Sequence, residues 1–378
     1  MGIYEELGVK RLINAWGTVT RVGGSIMSPR VLEAMTEASE AFVDIDELLL
    51  KAGARIAKIT GAEAAFITSG AAAGMAVAAA ACIAGTDRAK IERLPCTEGM
   101  KNQIVTMRSH RVLFDQAMRL AGAELVEVGY PKHSFPSQLE AALNEKTAAV
   151  FYLIEADAYR GSLPLTDVIA IAKKTCVPVI VNAAAELPPA DNLRKFTGMG
   201  ADLVIFSGGK DIRGPQNTGL ILGRGKLIEA CALNSNPNYS IGRPMKVSKE
   251  AIAGLLRALE LYVEQDFDTE MKEWEKQVLY FIAELSELPY LSVRKGFPTQ
   301  PSIQPACIPR AYVEVDEKRL GTNAAEIVSS LREGTPGILV EQMRGGFILN
   351  PQMLEKGEAE VVVRRVKEVI QALAKQKD

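Results

Sequence analysis

The residue with the most chemical potential in this sequence is Lys210, in the stretch "LVIFSGGKDIRGPQNTGLILG", residues 203 to 223. A run of apolar residues with strand character ends there in Ser207, two glycines and the lysine. Burial disfavours an ammonium ion, so an amine at the end of a buried strand is shifted toward its neutral form, which can attack a carbonyl carbon. Two rival motifs fail on residue type. A phosphate-binding GxxxxGK loop wants glycine where Val204 stands and Ser or Thr where Asp211 follows. The SxxK spelled by Ser207 and Lys210 comes without the SDN and KTG elements of serine β-lactamases. On this motif alone, a solvated lysine in a glycine turn stays open.

Two further stretches give the lysine a context. In "TSGAAAGMA", residues 68 to 76, a strand is followed at once by a helix whose first turn is made of tiny residues. Ser69, Gly70, Ala71 and Ala72 would offer a hydroxyl and backbone N–H groups at the positive end of that helix, a cup for a phosphate. Simple N-capping by Ser69 would explain the serine but not the small residues that let an anion approach. Ser207 could add a second hydroxyl. In "PVIVNAA" a buried strand ends in the polar Asn182, where a doubly wound sheet presents groups to a ligand, here one suited to a heterocycle nitrogen.

These residues need a frame that brings strand ends together. "AAFIT", "QIVTM", "ELVEVG", "AAVFYLI", "PVIVNA", "DLVIFSG" and "GLILG" alternate with helical patterns between residues 60 and 225. Fully apolar strands separated by helices predict a mostly parallel seven-stranded sheet covered on both faces. A charged stretch with apolar residues at three- and four-residue spacing, residues 248 to 288, predicts a long connecting helix. The expected organisation is an N-terminal segment (1–45) packing on the small domain or a partner subunit, a large domain (46–250), a connecting helix (251–290) and a small α+β C-terminal domain (291–378).

Composition narrows the partners. Of 378 residues, 24% are charged and 48% hydrophobic, with a formal net charge of −2. No global field points to nucleic acid or an anionic membrane, so a small molecule is the expected partner. The most apolar run, residues 70 to 85, is shorter than the roughly 20 residues that span a bilayer and is mostly alanine. The N-terminus carries no export or anchoring pattern. Five cysteines, scattered and without a CxxC pair, argue against a disulfide framework or a zinc site and for a reducing cytoplasm.

Phosphate cup, polar strand end and lysine, in that order, match pyridoxal 5'-phosphate (PLP) enzymes of the aspartate aminotransferase fold type I. "RLINAWGTVTRVGGSIMSP", "ITGAEAAFITSGAAAGMA", "HRVLFDQAMRLAGAELVEVG", "NAAAELPPADNLRKFTGMGADLVIFSGGKDIRGPQNTGLILGR" and "IGRPMKVSKEAIAGLLRALE" extend the match. Over most of residues 11 to 260 the chain resembles the selenocysteine-synthase-like family, which is similar to L-seryl-tRNA(Sec) selenium transferase. Within it, the chain most resembles the subgroup of D-glucosaminate-6-phosphate ammonia lyases. The resemblance implies an even homo-oligomer, at least a dimer.

It also implies residue roles. Lys210 would form the internal aldimine and move protons; Ser69, Gly70, Ala71 and Ser207 would hold the cofactor phosphate; His110 in "RSHRVLFDQ" would stack on the pyridine ring. Arg213 and Gln216 would line the substrate site or reach a neighbouring subunit's cofactor, and Arg243 and Lys246 would face an anionic group of the amino acid substrate, joined by Arg21 from the set of available cations. The implied reaction is an α,β-elimination releasing ammonia, with transfer, racemisation or transamination as alternatives and a non-catalytic binding protein as the reading from another class. Asn182 departs from the family, which usually has Asp there to keep the pyridine nitrogen protonated. Either the reaction needs little carbanion stabilisation or another acid, Asp157 or Glu186, supplies the charge. Gly208 and Gly209 are expected to leave room for the flat ring.

Overall fold

The computed structural model describes residues 2–154, 161–298 and 305–375. The chain divides into two compact units, one of Ile26–Gln265 with Thr299–Pro305, the other of Met1–Ser25, Asp266–Pro298 and Ala306–Asp378.

The first unit is built on a seven-stranded sheet. Its spatial order is Ala64–Thr68, Gly219–Gly223, Leu203–Ser207, Val179–Asn182, Thr147–Leu153, Gln103–Met107 and Glu124–Val128. Each is one of the seven runs expected from sequence. Gly219–Gly223 runs antiparallel to both its neighbours, and the remaining pairs are parallel. Thr147–Leu153 is buried along its whole length, which is why it reads as an unbroken apolar run rather than an alternating one. The ends of the parallel strands, Thr68, Ser207, Asn182, Leu153 and Met107, therefore share one edge of the sheet with Gly219, the start of the antiparallel strand. Ligands of open α/β sheets bind at this carboxyl edge.

The helix Ala71–Ala84 lies on the sheet and is buried from Gly74 to Ala81. Its alanines are what close packing permits. A Cβ on Gly74 would stand 3.1 Å from Ile205 Cγ2 and 3.4 Å from Thr68 Oγ1, so the missing side chain lets the first turns of the helix lie close against two strands. Gly53 plays the same part on the helix Ile45–Thr60, where a Cβ would fall 2.3 Å from the Ala65 carbonyl oxygen.

The second unit holds an antiparallel sheet ordered Glu341–Met343, Gly346–Leu349, Arg310–Val315 and Leu291–Gly296. In the same unit Leu12–Asn14 pairs in parallel with Gly337–Leu339. Val278, Phe281, Phe347, Val362 and Val366 belong to its core, each worth about 1.5–3 kcal/mol by burial.

The single connecting helix expected over residues 251–290 is two helices, Lys249–Val263 and Phe267–Leu285, assigned to different units. The break has a local cause. The Asp266 side chain accepts from the Thr269 backbone N–H at 3.1 Å and caps a new helix.

Candidate active site

Gly219 organises the first part of the site. It pairs with Thr68 on one side and Ser207 on the other. Directly paired residues share a face, and neighbouring strands lie about 4.8 Å apart. The Thr68 and Ser207 backbones therefore stand about 10 Å apart with no side chain between them. Gly70, at φ 118°, has open space where a Cβ would project. The Thr68 hydroxyl donates to the Gly70 carbonyl at 2.9 Å and fixes the turn into the helix. Ser69, Gly70, Ala71 and Ser207 are half-buried, so this lip is open rather than packed shut. The lip carries hydroxyls and the first amides of a 14-residue helix, groups of the kind that attract small anions.

Lys210 stands in the loop that joins Leu203–Ser207 to Gly219–Gly223. The Gly208 N–H donates to the Thr218 carbonyl and the Gly214 N–H to the Gly208 carbonyl, both at 2.9 Å, pinching the base of the loop. The Thr218 hydroxyl donates to the Pro215 carbonyl at 2.6 Å. The lysine is half-buried by surface area, but its amine lies deep enough for desolvation to lower its pKa from 10.5 to about 8, against an opposing pull from the Glu186 carboxylate. This is the partly neutral amine the sequence suggested.

The two glycines before it do something other than expected. A Cβ on Gly208 would meet Thr218 Oγ1 at 2.2 Å and Leu255 Cδ1 at 2.5 Å; one on Gly209 would meet Gln216 Cα at 2.3 Å. They let the loop fold on itself rather than clear space for a flat ring. Arg213 has a left-handed backbone at φ 56°, a conformation that non-glycine residues adopt at a cost and that collects at ligand sites.

Asn182 is 6% exposed. Its Oδ1 accepts from the Ala184 N–H at 3.0 Å, and its Nδ2 donates to the Met75 sulfur at 3.4 Å. The Ala183 N–H donates to the Ile205 carbonyl at 2.9 Å, holding this turn beside the strand that leads to Lys210. Glu186 follows in the same turn, buried, with its N–H on the Ala183 carbonyl at 3.1 Å and its own carbonyl held by Asn192 at 2.6 Å. Of the two substitute acids considered, Glu186 is thus charge-coupled to Lys210, whereas Asp157 lies outside the described residues.

His110 follows the strand Gln103–Met107 and is 1% exposed. Its Nδ1 accepts from the Leu153 N–H at 3.4 Å, which puts the ring proton on Nε2. Tyr152 packs edge-on to it at 4.4 Å between centroids. Arg243 donates to Asn236 Oδ1 at 3.2 Å and lies over the Tyr239 ring at 5.9 Å. Lys246 and Gln216 are exposed. Arg21 is exposed and belongs to the other unit.

Sequence reasoning missed Thr68, Met75 and Gly219. A threonine closing a strand before "SG" is a readable turn signal, but nothing local marks the other two. A separate cavity of about 470 Å³, lined by Leu49, Leu50, Ala57, Phe66 and Ile228 among others, contains none of the candidate residues. Among the described residues no helix is long and apolar enough to cross a membrane, and no group of acidic, His or Cys side chains could hold a metal ion.

A family model described as L-seryl-tRNA selenium transferase (SelA) matches residues 12–273. A D-glucosaminate-6-phosphate ammonia lyase of Salmonella typhimurium (strain 14028s / SGSC 2262) is 36% identical over 98% of this chain and 99% of its own. A 5'-C-glycyluridine monooxygenase-decarboxylase of a Streptomyces species is 35% identical over 97% of this chain and 92% of its own. The solved structure of D-glucosaminate-6-phosphate ammonia-lyase superposes with a TM-score of 0.85, covering 99% of both chains at 36% identity. A serine palmitoyltransferase solved with a PLP internal aldimine shares the fold at 16% identity and a TM-score of 0.59.

Proposed function

Because this chain belongs to the L-seryl-tRNA selenium transferase family, we propose that it is a PLP-dependent ammonia lyase acting on a hydroxylated, phosphorylated amino acid of the D-glucosaminate 6-phosphate kind. The observation that carries this reading is the Lys210 amine, lowered to a pKa of about 8 at the ligand-binding edge of the sheet, beside an open cradle of hydroxyls and helix amides. Most of the residues present suit the cofactor: Lys210 would bind it covalently, Ser69, Gly70, Ala71 and Ser207 would take its phosphate and Asn182 its ring nitrogen, while His110, 1% exposed, would have to uncover a face to stack on its ring. PLP so held would draw electron density from the α-carbon of a bound amino acid.

The chain's own residues account for the proton transfers. Near pH 8 about half of the free Lys210 amine is neutral, so it can accept the α-hydrogen as a base and return a proton as an acid. The α C–H bond breaks toward Lys210 and the β C–O bond breaks with its oxygen leaving as water. Water is taken up again on hydrolysis, giving a 2-oxo acid and ammonia. Arg213, Gln216, Arg243 and Lys246 are the substrate-facing residues of this proposal, since cations and amide donors match carboxylate and phosphate groups. An even homo-oligomer in the cytoplasm completes it, in keeping with five free cysteines.

The experiment is ammonia and 2-oxo acid release from D-glucosaminate 6-phosphate by protein saturated with PLP; no release from a protein that holds cofactor on Lys210 rejects the substrate. A second reading draws on the Streptomyces relative, nearly as similar over nearly the same span. Oxygen uptake with CO₂ release from 5'-C-glycyluridine, in place of ammonia release, decides for it. The selenium transfer alternative has weaker support, a 26% identical relative of which this chain covers 56%; binding of seryl-tRNA at low salt would revive it.

A further inference from the structure

We propose that the cavity at the end of the edge strand away from Thr68 is a second ligand site, suited to an elongated apolar molecule with positive charge at its ends. The inference is independent of the PLP reading above, and the cavity contains none of the residues assigned to that reading.

Two helices and the edge strand enclose it. Leu49, Gly53 and Ala57 come from the helix Ile45–Thr60, and Ile228 and Ala232 from the helix Gly225–Leu233. Residues three and four apart on a helix share a face, so each helix turns a stripe of apolar and small residues to the same space. Phe66 and its two predecessors complete the lining from the strand Ala64–Thr68, which pairs only on its other side, with Gly219–Gly223. The volume, about 470 Å³, is that of a small-molecule site.

The charges select the ligand. Asp46, Glu63 and Glu229 are the charged residues of the lining, and all three are carboxylates. Among the described residues none of the three is in an ion pair. The neighbouring cations do not offset them: Lys51 pairs with Glu47 at 2.6 Å and Arg55 with Glu260 at 3.1 Å, while Lys58 and Lys226 lie outside the lining. Asp46 is in the first turn of its helix and Glu63 follows that helix's end. Carboxylates thus stand toward both ends of a wall that runs about 16 Å from Asp46 to Ala57, at about 1.5 Å per residue. A methylene chain would lie along the two stripes with its terminal cations against the carboxylates. An uncharged chain would gain the apolar burial alone.

The test is calorimetric titration of PLP-saturated protein with two probes of one length, octamethylene-bis(trimethylammonium) and octanediol. The first is quaternary, so it forms no imine with the cofactor. It is expected to bind about tenfold tighter than the diol, with the difference shrinking as salt is added. Asp46→Asn and Glu63→Gln, at exposed positions, should each weaken the dication about two- to fivefold and leave the diol unchanged. Ala57→Trp, which fills the cavity, should abolish both; should it fail to fold, the two exposed variants still decide. Equal affinity for the two probes, no binding of either, or dication binding that both carboxylate variants leave unchanged overturns the proposal. Leu50, 74% exposed, lines the same cavity. An oligomer that Leu50→Ser dissociates in sedimentation assigns the cavity to a second copy of this chain and also overturns the proposal. Protein without cofactor can be titrated in the same way, so failure of the PLP reading leaves this test standing.

Discussion

Gly219 lies against Gly70: a Cβ on Gly219 would come within 2.6 Å of the Gly70 carbonyl carbon and 2.7 Å of the Ala71 nitrogen. The sheet register fixes this approach, because Gly219 pairs with both Thr68 and Ser207. Gly219→Ala must push the turn at residues 69 to 71 away from its strand. We expect a loss of about 1–3 kcal/mol in stability and a cofactor affinity lower by about tenfold or more, tenfold being about 1.4 kcal/mol. Denaturant unfolding and an absorbance titration with PLP measure the two effects. Unchanged cofactor affinity would remove the phosphate role from this cradle.

Glu186 and Lys210 make a second, electrostatic prediction. The Glu186 carboxylate raises the lysine pKa while desolvation lowers it, the latter being larger. Neutralising the carboxylate in Glu186→Gln leaves desolvation unopposed, so the pKa falls below about 8. Only the neutral amine attacks a carbonyl. The rate at which cofactor-free protein captures PLP should therefore rise with pH to a midpoint near 8 in the wild type and at a lower pH in the variant. A midpoint that stays put would deny that the two groups interact.

Arg243, proposed above to face the substrate, is held by Asn236 and lies over Tyr239. If it meets an anionic group that is present throughout the reaction, Arg243→Ala weakens ground state and transition state alike. KM for the phosphorylated substrate should rise by about 10- to 100-fold, with kcat changing much less. A fall in kcat at constant KM would instead assign Arg243 to the reacting centre.

The sheet was legible in the sequence because most of its strands are compact apolar runs and the connections between its parallel strands carry a helical period. Lys210 was legible because a charged residue ending such a run has few structural reasons to be there. The parts that were not legible are contacts made across the chain. Gly208 and Gly209 suggested a ring-shaped vacancy, yet their neighbours are Thr218, Leu255 and Gln216, which no local pattern announces. The amide direction at Asn182 depends on Met75, 107 residues earlier. The break after residue 265 could have been read, since Asp266 followed by Thr269 and Glu270 is an N-cap signal; the apolar spacing on both sides concealed it. The turn at residues 69 to 71 and the lysine were thus separable features in sequence, and it took the Thr68–Gly219–Ser207 register to bring that turn and Ser207 to one edge of the sheet.

Lys210 also makes the stability of the cofactor-free protein depend on pH, with a sign that follows from linkage. An unfolded chain holds its lysine proton up to about 10.5, the folded protein only up to about 8. Below pH 8 both states are protonated and folding bears the full penalty of the enclosed ammonium, up to about 3 kcal/mol and nearer ~2 kcal/mol for a side chain only half-buried. Between pH 8 and 10.5 the unfolded state binds the extra proton, so stability rises with pH across this window. Lys210→Met keeps the aliphatic stem and removes the charge. The variant should be more stable than cofactor-free wild type at pH 7, by that amount, and the advantage should shrink steadily toward pH 10. Denaturation midpoints of the two proteins, measured in parallel so that other titrations cancel, give the comparison. Parallel curves at all pH values would mean that the amine is solvated and lacks the depressed pKa on which its role as base depends.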